Sequence, residues 1–115
     1  MTYVLGLDLG TSALKGLVVG KNGQVVAEAS HSYPMDTPKI GYSEQNPLSW
    51  LEAADQVMKD LVSILPELKD SLEGISFSGQ MHSLVLLDEK NTPLRPAILW
   101  NDVRTTKQCQ KINET

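Results

Sequence analysis

The chain has 115 residues, a formal net charge of −4 from 14 acidic and 10 basic side chains, 41% apolar and 21% charged residues, and one cysteine, Cys109. This is the composition of one soluble globular domain or a piece of one, and it argues against a disordered chain, a coiled coil and a disulfide-stapled secreted scaffold. Lysine and arginine are scattered rather than clustered, so no basic stripe for nucleic acid is present, and no stretch approaches the ~18 apolar residues of a membrane helix. Met1-Thr2-Tyr3-Val4 lacks the positive start of a signal peptide, and Asp8 interrupts the apolar run, so the expected location is the cytoplasm, with no membrane partner.

In chain order, Tyr3 to Leu7 reads as a buried strand and Ala13 to Val19 as a second, apolar except at Lys15. Asn22-Gly23 is a hairpin signal of the type I′ kind, which needs positive φ at both positions. Gln24 to Ser32 follows as a third strand, with Val25, Ala27 and Ala29 alternating against Gln24, Glu28 and Ser30. The result is a three-stranded meander. Pro34 to Gly41 is irregular. Asn46-Pro47 suits a helix start, with Leu51, Ala54, Met58, Leu61 and Leu65 as its apolar face and Pro66 as its stop. Gly74 to Ser78 reads as a fourth strand. Leu84 to Leu87 and Leu94 to Trp100 read as two more strands around the turn Asp88-Glu89-Lys90-Asn91, and Thr105 to Glu114 as a polar helix. That helix ends without cap or breaker, which predicts a piece of a longer protein. A sheet cut in this way exposes an edge, so pairing between copies, and with it a homo-oligomer, stays open.

Three segments carry candidate chemistry. Asp8-Leu9-Gly10-Thr11-Ser12 ends the first strand. Gly10 lets backbone approach a ligand, and Thr11 and Ser12 add N–H groups and hydroxyls suited to an anion. A carboxylate beside bound phosphate calls for a cation between them, and Mg²⁺ is that cation in phosphoryl transfer. No Walker A pattern is present, and Lys15 comes too soon for one. The plain alternative is an ordinary turn closing a hairpin. Ser78-Gly79-Gln80-Met81-His82-Ser83 follows the fourth strand, at the end where open α/β sheets bind ligands. Gln80 and His82 can bond sugar hydroxyls and Met81 can pack on a sugar face; a satisfied core or surface histidine and a core methionine are the alternatives. Trp100-Asn101-Asp102-Val103-Arg104 offers an aromatic plane, an amide and a carboxylate to the same kind of ligand, while Asp102 capping a helix from Val103 explains it equally well. Tyr42-Ser43-Glu44-Gln45-Asn46-Pro47 reads as helix entry.

Gly6 to Ser12, Tyr42 to Pro47, Ser78 to His82 and Ala97-Ile98-Leu99-Trp100-Asn101-Asp102 together resemble the N-terminal domain of carbohydrate kinases of the FGGY type. The Gly79-Gln80-Met81-His82 run is most similar to bacterial xylulokinases, with Ser83 where a glycine is usual. The resemblance implies an α/β fold of the actin/Hsp70-like (ribonuclease H-like) ATPase kind, with residues 1–115 as a partial N-terminal domain. It implies ATP and Mg²⁺ as cofactors and D-xylulose as partner substrate, phosphorylated to D-xylulose 5-phosphate. Asp8 would take the catalytic and metal role, orienting Mg²⁺ and the phosphates. Gly10, Thr11 and Ser12 would contact the γ-phosphate. Gln80, Met81, His82, Trp100, Asn101 and Asp102 would form the sugar side. The family's catalytic base and most adenine contacts come from later segments, so the 115 residues alone are expected to be inactive. Ribulose or gluconate as substrate, or a non-enzymatic sugar-sensing domain, are the alternatives.

Overall fold

The computed structural model describes residues 2–115. Three strands come first: β1 (Tyr3–Leu9), β2 (Ala13–Gly20) and β3 (Val25–Ser32). A two-residue strand β4 (Glu44–Gln45) precedes helix α1 (Pro47–Ile64). A short helix α2 (Leu68–Ser71) leads into β5 (Leu72–Gly79). A second two-residue strand, β6 (Ala97–Ile98), and helix α3 (Thr106–Asn113) complete the order. The chain folds as two compact units. The first runs to Tyr33 and resumes over Leu48–Gln80; the second comprises Pro34–Pro47 and Met81–Thr115.

The first unit is a four-stranded sheet in the order β3-β2-β1-β5, with α1 on one face. β1 and β2 are antiparallel, Leu5 opposite Val18 and Asp8 opposite Lys15. β5 returns parallel to β1, with Asp8 aligned on Ser78. The carboxyl ends of β1 and β5 therefore lie at the same edge of the sheet. The expected meander forms, but its second turn differs from type I′. Gly23 N–H bonds the Gly20 carbonyl at 3.0 Å and only Gly23 takes a positive φ, of 81°. This is the arrangement in which a left-handed glycine follows a turn and forms a bulge. Farther along, the register also shifts between Val18 and Val19, with Val26 as the extra residue on β3. At that shift Val26 rather than Val25 packs inward, and Val25 is exposed.

Alternation along the strands sends Tyr3, Leu5, Leu7, Leu14, Val18 and Ala27 into the core. α1 answers with Ala53, Val57 and Leu61, all fully buried at a spacing of four. Of the expected helix face, Leu61 is fully buried, Ala54, Met58 and Leu65 pack against the core while partly buried, and Leu51 is 68% exposed; Ala53 and Val57 were not expected. Helix and sheet lie close together at this contact, where glycine on the strand faces Val57 and Leu61. At Gly16 a Cβ would stand 2.7 Å from Val57 Cγ1 and 3.1 Å from Leu61 Cδ1. Gly16→Val is expected to destabilise the fold by about 1–3 kcal/mol through overpacking. Chemical denaturation measures this, and an unchanged midpoint would contradict the packing described.

β5 ends the sheet on the other side and is exposed along nearly its whole length, Phe77 to 77%.

In the second unit the expected turn at Asp88 forms. Asp88 Oδ1 accepts the N–H groups of Lys90 (2.8 Å) and Thr92 (2.9 Å), and Leu94 N–H reaches the Leu86 carbonyl at 2.9 Å. Its flanks are not the two full strands expected. Only single bridges join Leu87 to Pro93 and Leu84 to Ile98, and β6 is limited to Ala97–Ile98. β6 instead pairs with β4, inside the segment read as helix entry. Gln45, on β4, is fully buried, and Ala97 and Leu99 are buried with it.

Candidate functional site

The turn after β1 is held by its own backbone and by two side chains. Gly10 N–H donates to the Ala13 carbonyl at 3.0 Å, and Tyr33 N–H to the Ser12 carbonyl at 3.1 Å. A Cβ on Gly10 would lie 3.1 Å from that Ala13 oxygen, so the tight turn selects glycine. The Tyr33 hydroxyl and the Gln80 amide nitrogen both donate to the Gly10 carbonyl. Asp8 sits on β1 two residues before Gly10, exposed, with no hydrogen bond or ion pair to its carboxylate among the described residues. Lys15 faces it across the β1–β2 pair and lies 3.8 Å from Glu28. Gly6, Asp8, Lys15, Leu17, Ser76 and Ser78 line an open pocket of ≈ 260 Å³ on this part of the sheet.

Burial, reinforced by the charge of Asp8, pushes the Tyr33 phenol up to about 12. It is thus a permanent hydrogen-bond donor at ordinary pH. Gln80, expected on the sugar side, is engaged with the loop at 3.3 Å through Nε2, and its N–H extends the ladder to the Leu9 carbonyl at 3.0 Å. No cluster of three metal-ligating side chains exists among the described residues. A single carboxylate suits Mg²⁺, which keeps several waters and takes phosphate oxygens as further ligands.

The other expected residues belong to the second unit. An isolated antiparallel bridge joins Leu84, just after His82, to Ile98, just before Trp100, and Met81, His82, Trp100 and Asn101 all lie in the second unit. Met81 is 72% and Trp100 56% exposed. His82 takes a φ of 64°, a left-handed conformation that costs a non-glycine residue energy and recurs at ligand sites. Asn101 Nδ2 donates to Met35 Sδ at 3.7 Å, while Asn101 Oδ1 and Ser83 Oγ are buried with no protein partner.

Asp102 behaves differently from its neighbours. Its side chain is 1% exposed and both oxygens are occupied. Oδ2 accepts from Ser43 N–H at 2.7 Å and Arg104 Nη2 at 2.6 Å, and Oδ1 from Arg104 N–H at 2.9 Å and Nε at 3.0 Å. Arg104 also reaches Glu44 Oε2 at 2.6 Å, as does Arg95, and lies over the Tyr42 ring at 3.8 Å. The Arg104 guanidinium holds the Asp102 carboxyl well below the usual carboxylate range, against the opposing effect of burial, with the N–H groups of Arg104 and Ser43 adding to it. Arg104 likewise lowers Glu44. Asp102 closes the turn 102–104, but α3 starts later, at Thr106, so it is not that helix's cap. Tyr42, Glu44 and Arg95 were missed as members of this cluster. An Asp and an Arg two residues apart after a strand were the only signal for it.

Residues 3–115 match the FGGY family of carbohydrate kinases, N-terminal domain. The chain is 55% identical to the xylulose kinase of Lactococcus lactis over 114 residues, covering 99% of this chain and 23% of that protein. It is 39% identical to the gluconokinase of Bacillus subtilis over 113 residues, 98% of this chain and 22% of that protein. The crystal structure of a xylulose kinase from Brucella ovis superposes with a TM-score of 0.93 at 37% identity, over 97% of this chain and 24% of the other. The fold is thereby the expected actin/Hsp70-like α/β ATPase fold, in its N-terminal part. The chain spans about a quarter of the length of these relatives. It belongs to the FGGY family of carbohydrate kinases.

Proposed function

We propose that the chain is the first part of an ATP-dependent xylulose kinase, which moves the γ-phosphoryl group of ATP to the 5-hydroxyl of D-xylulose in the cytoplasm. The observation that carries the sugar assignment is the higher identity to a xylulose kinase than to a gluconokinase, in a chain that keeps Gln80-Met81-His82. The built turn at Gly10, with Asp8 unengaged beside it, supports the nucleotide side.

In this reading Gly10, Thr11 and Ser12 would orient the γ-phosphate, and Asp8 would hold Mg²⁺. The metal, when bound, neutralises charge developing on the phosphate oxygens. Met81 and Trp100 offer apolar surface to the carbon skeleton of the sugar. His82 and the unpartnered Asn101 Oδ1 bond its hydroxyls. The work of these residues is positioning and electrostatic stabilisation. The remainder of the first domain and a second domain, supplied by the rest of a longer chain, would provide the base and the adenine site. Residues 1–115 alone are expected to show no xylulose-dependent ATP consumption.

A substrate panel on the full-length protein tests the assignment. D-Xylulose should give the highest kcat/KM, ahead of ribulose and gluconate. Gluconate as the best substrate would overturn it, and sugar binding without turnover would favour a sensing domain.

A further inference from the structure

Two donors converge on one acceptor in the turn after β1. The Tyr33 hydroxyl and Gln80 Nε2 both point at the Gly10 carbonyl, from positions far apart in the chain. The hairpin does not require them, since Gly10 N–H to Ala13 already closes it. Tyr33 is 7% exposed, and it acts twice, because its own N–H fixes the Ser12 carbonyl at 3.1 Å. The Gln80 N–H bond to Leu9 locks the other donor to the same sheet edge.

The effect on the loop follows from peptide geometry. In a trans peptide the carbonyl and the next residue's N–H point in opposite directions, and no cis bond occurs among the described residues. Holding the Gly10 carbonyl toward Tyr33 and Gln80 therefore fixes the direction of the Thr11 N–H. It also keeps the negative end of that carbonyl from swinging toward a bound anion. Preset donors cost no reorganisation when the anion arrives.

We propose that Tyr33 and Gln80 are positioning residues that preset the Gly10–Ser12 loop for nucleotide phosphate, so that they govern affinity for ATP rather than for sugar. This rests on the reading of that loop as the phosphate loop.

The test compares full-length wild type with Tyr33→Phe and Gln80→Met, by steady-state kinetics and by titration calorimetry with Mg-ATP in the absence of sugar. Each change removes one hydrogen bond, worth roughly 3- to 10-fold in affinity. The KM for ATP and the dissociation constant of Mg-ATP should rise by about that factor in each variant, with the KM for D-xylulose within twofold of wild type. A fall in thermal stability with ATP affinity unchanged would make the two bonds merely structural and overturn the proposal. A rise in the sugar KM alone for Gln80→Met would return Gln80 to the sugar side and also overturn it. The calorimetry separates this inference from the kinase assignment. A wild type that binds Mg-ATP but phosphorylates another sugar, with both variants weakened for ATP, supports the inference while the xylulose assignment fails. A wild type that does not bind Mg-ATP at all removes both.

Discussion

Asp8→Asn is expected to lower kcat of the full-length kinase by about 10²- to 10³-fold, the scale of losing one preorganised electrostatic contact in an active site. The reason lies in what Asp8 does not do for the fold. Its carboxylate is exposed and makes no hydrogen bond or ion pair among the described residues, although it lies near the end of a strand whose neighbours are well paired. A side chain in that position contributes little to stability, so the substitution should change folding free energy by less than about 0.5 kcal/mol. The amide is nearly the same size as the carboxylate. On the proposed reading, what it cannot do is hold a divalent cation against phosphate. Steady-state rates beside a thermal melt check both halves. Loss of activity together with a large drop in melting temperature would mean that Asp8 is structural after all.

Asp102→Asn is expected to have the opposite profile. The Asp102 side chain is buried with both oxygens bonded, and its partner Arg104 ties it to Glu44 and Tyr42. The amide cannot satisfy the guanidinium, and loss of charged hydrogen bonds of this kind costs about 1.5–3 kcal/mol at pH 7. The sign of the pH dependence follows from the direction of the shift. The folded carboxyl lies below its unfolded value, so its stabilisation is present in full above the unfolded value of ~4 and is lost as the pH falls toward the folded one. The stability gap between wild type and Asp102→Asn should therefore be widest near neutrality and narrow steadily below about pH 4. Denaturation midpoints at pH 7 and pH 3 measure it. A variant as stable as wild type, but with a raised KM for sugar, would make Asp102 a direct sugar ligand instead.

The meander, the helix after Pro47 and the strand before Gln80 were legible because each leaves a local mark. β1, β2 and β3 alternate or run apolar between turn residues, and Pro47 opens a helix that Pro66 follows. The helix face was misjudged because periodicity counts apolar residues and not their size. Leu61 was read correctly, but Leu51 fits the pattern and is nonetheless exposed, while Val57 meets the sheet at Gly16. The short strands β4 and β6 left no mark, since two residues have no periodicity and their partners lie some 50 positions apart. Among the candidate residues, Asp8 and the turn at Gly10 could be found from one short segment. The double engagement of the Gly10 carbonyl could not, because Tyr33 and Gln80 come from distant parts of the chain. Asp102 shows the same limit in reverse: its residue type suits a sugar, and only three-dimensional structure reveals that Arg104 and Ser43 already occupy it.

The central claim is that the Gly10–Ser12 loop holds nucleotide phosphate. It is tested most directly by a crystal structure of the full-length protein with Mg²⁺ and a non-hydrolysable ATP analogue. The terminal phosphate should lie within hydrogen-bonding distance of the Thr11 and Ser12 backbone or hydroxyls, with the metal on the Asp8 side. A well-ordered nucleotide whose phosphates lie away from this loop would contradict the account.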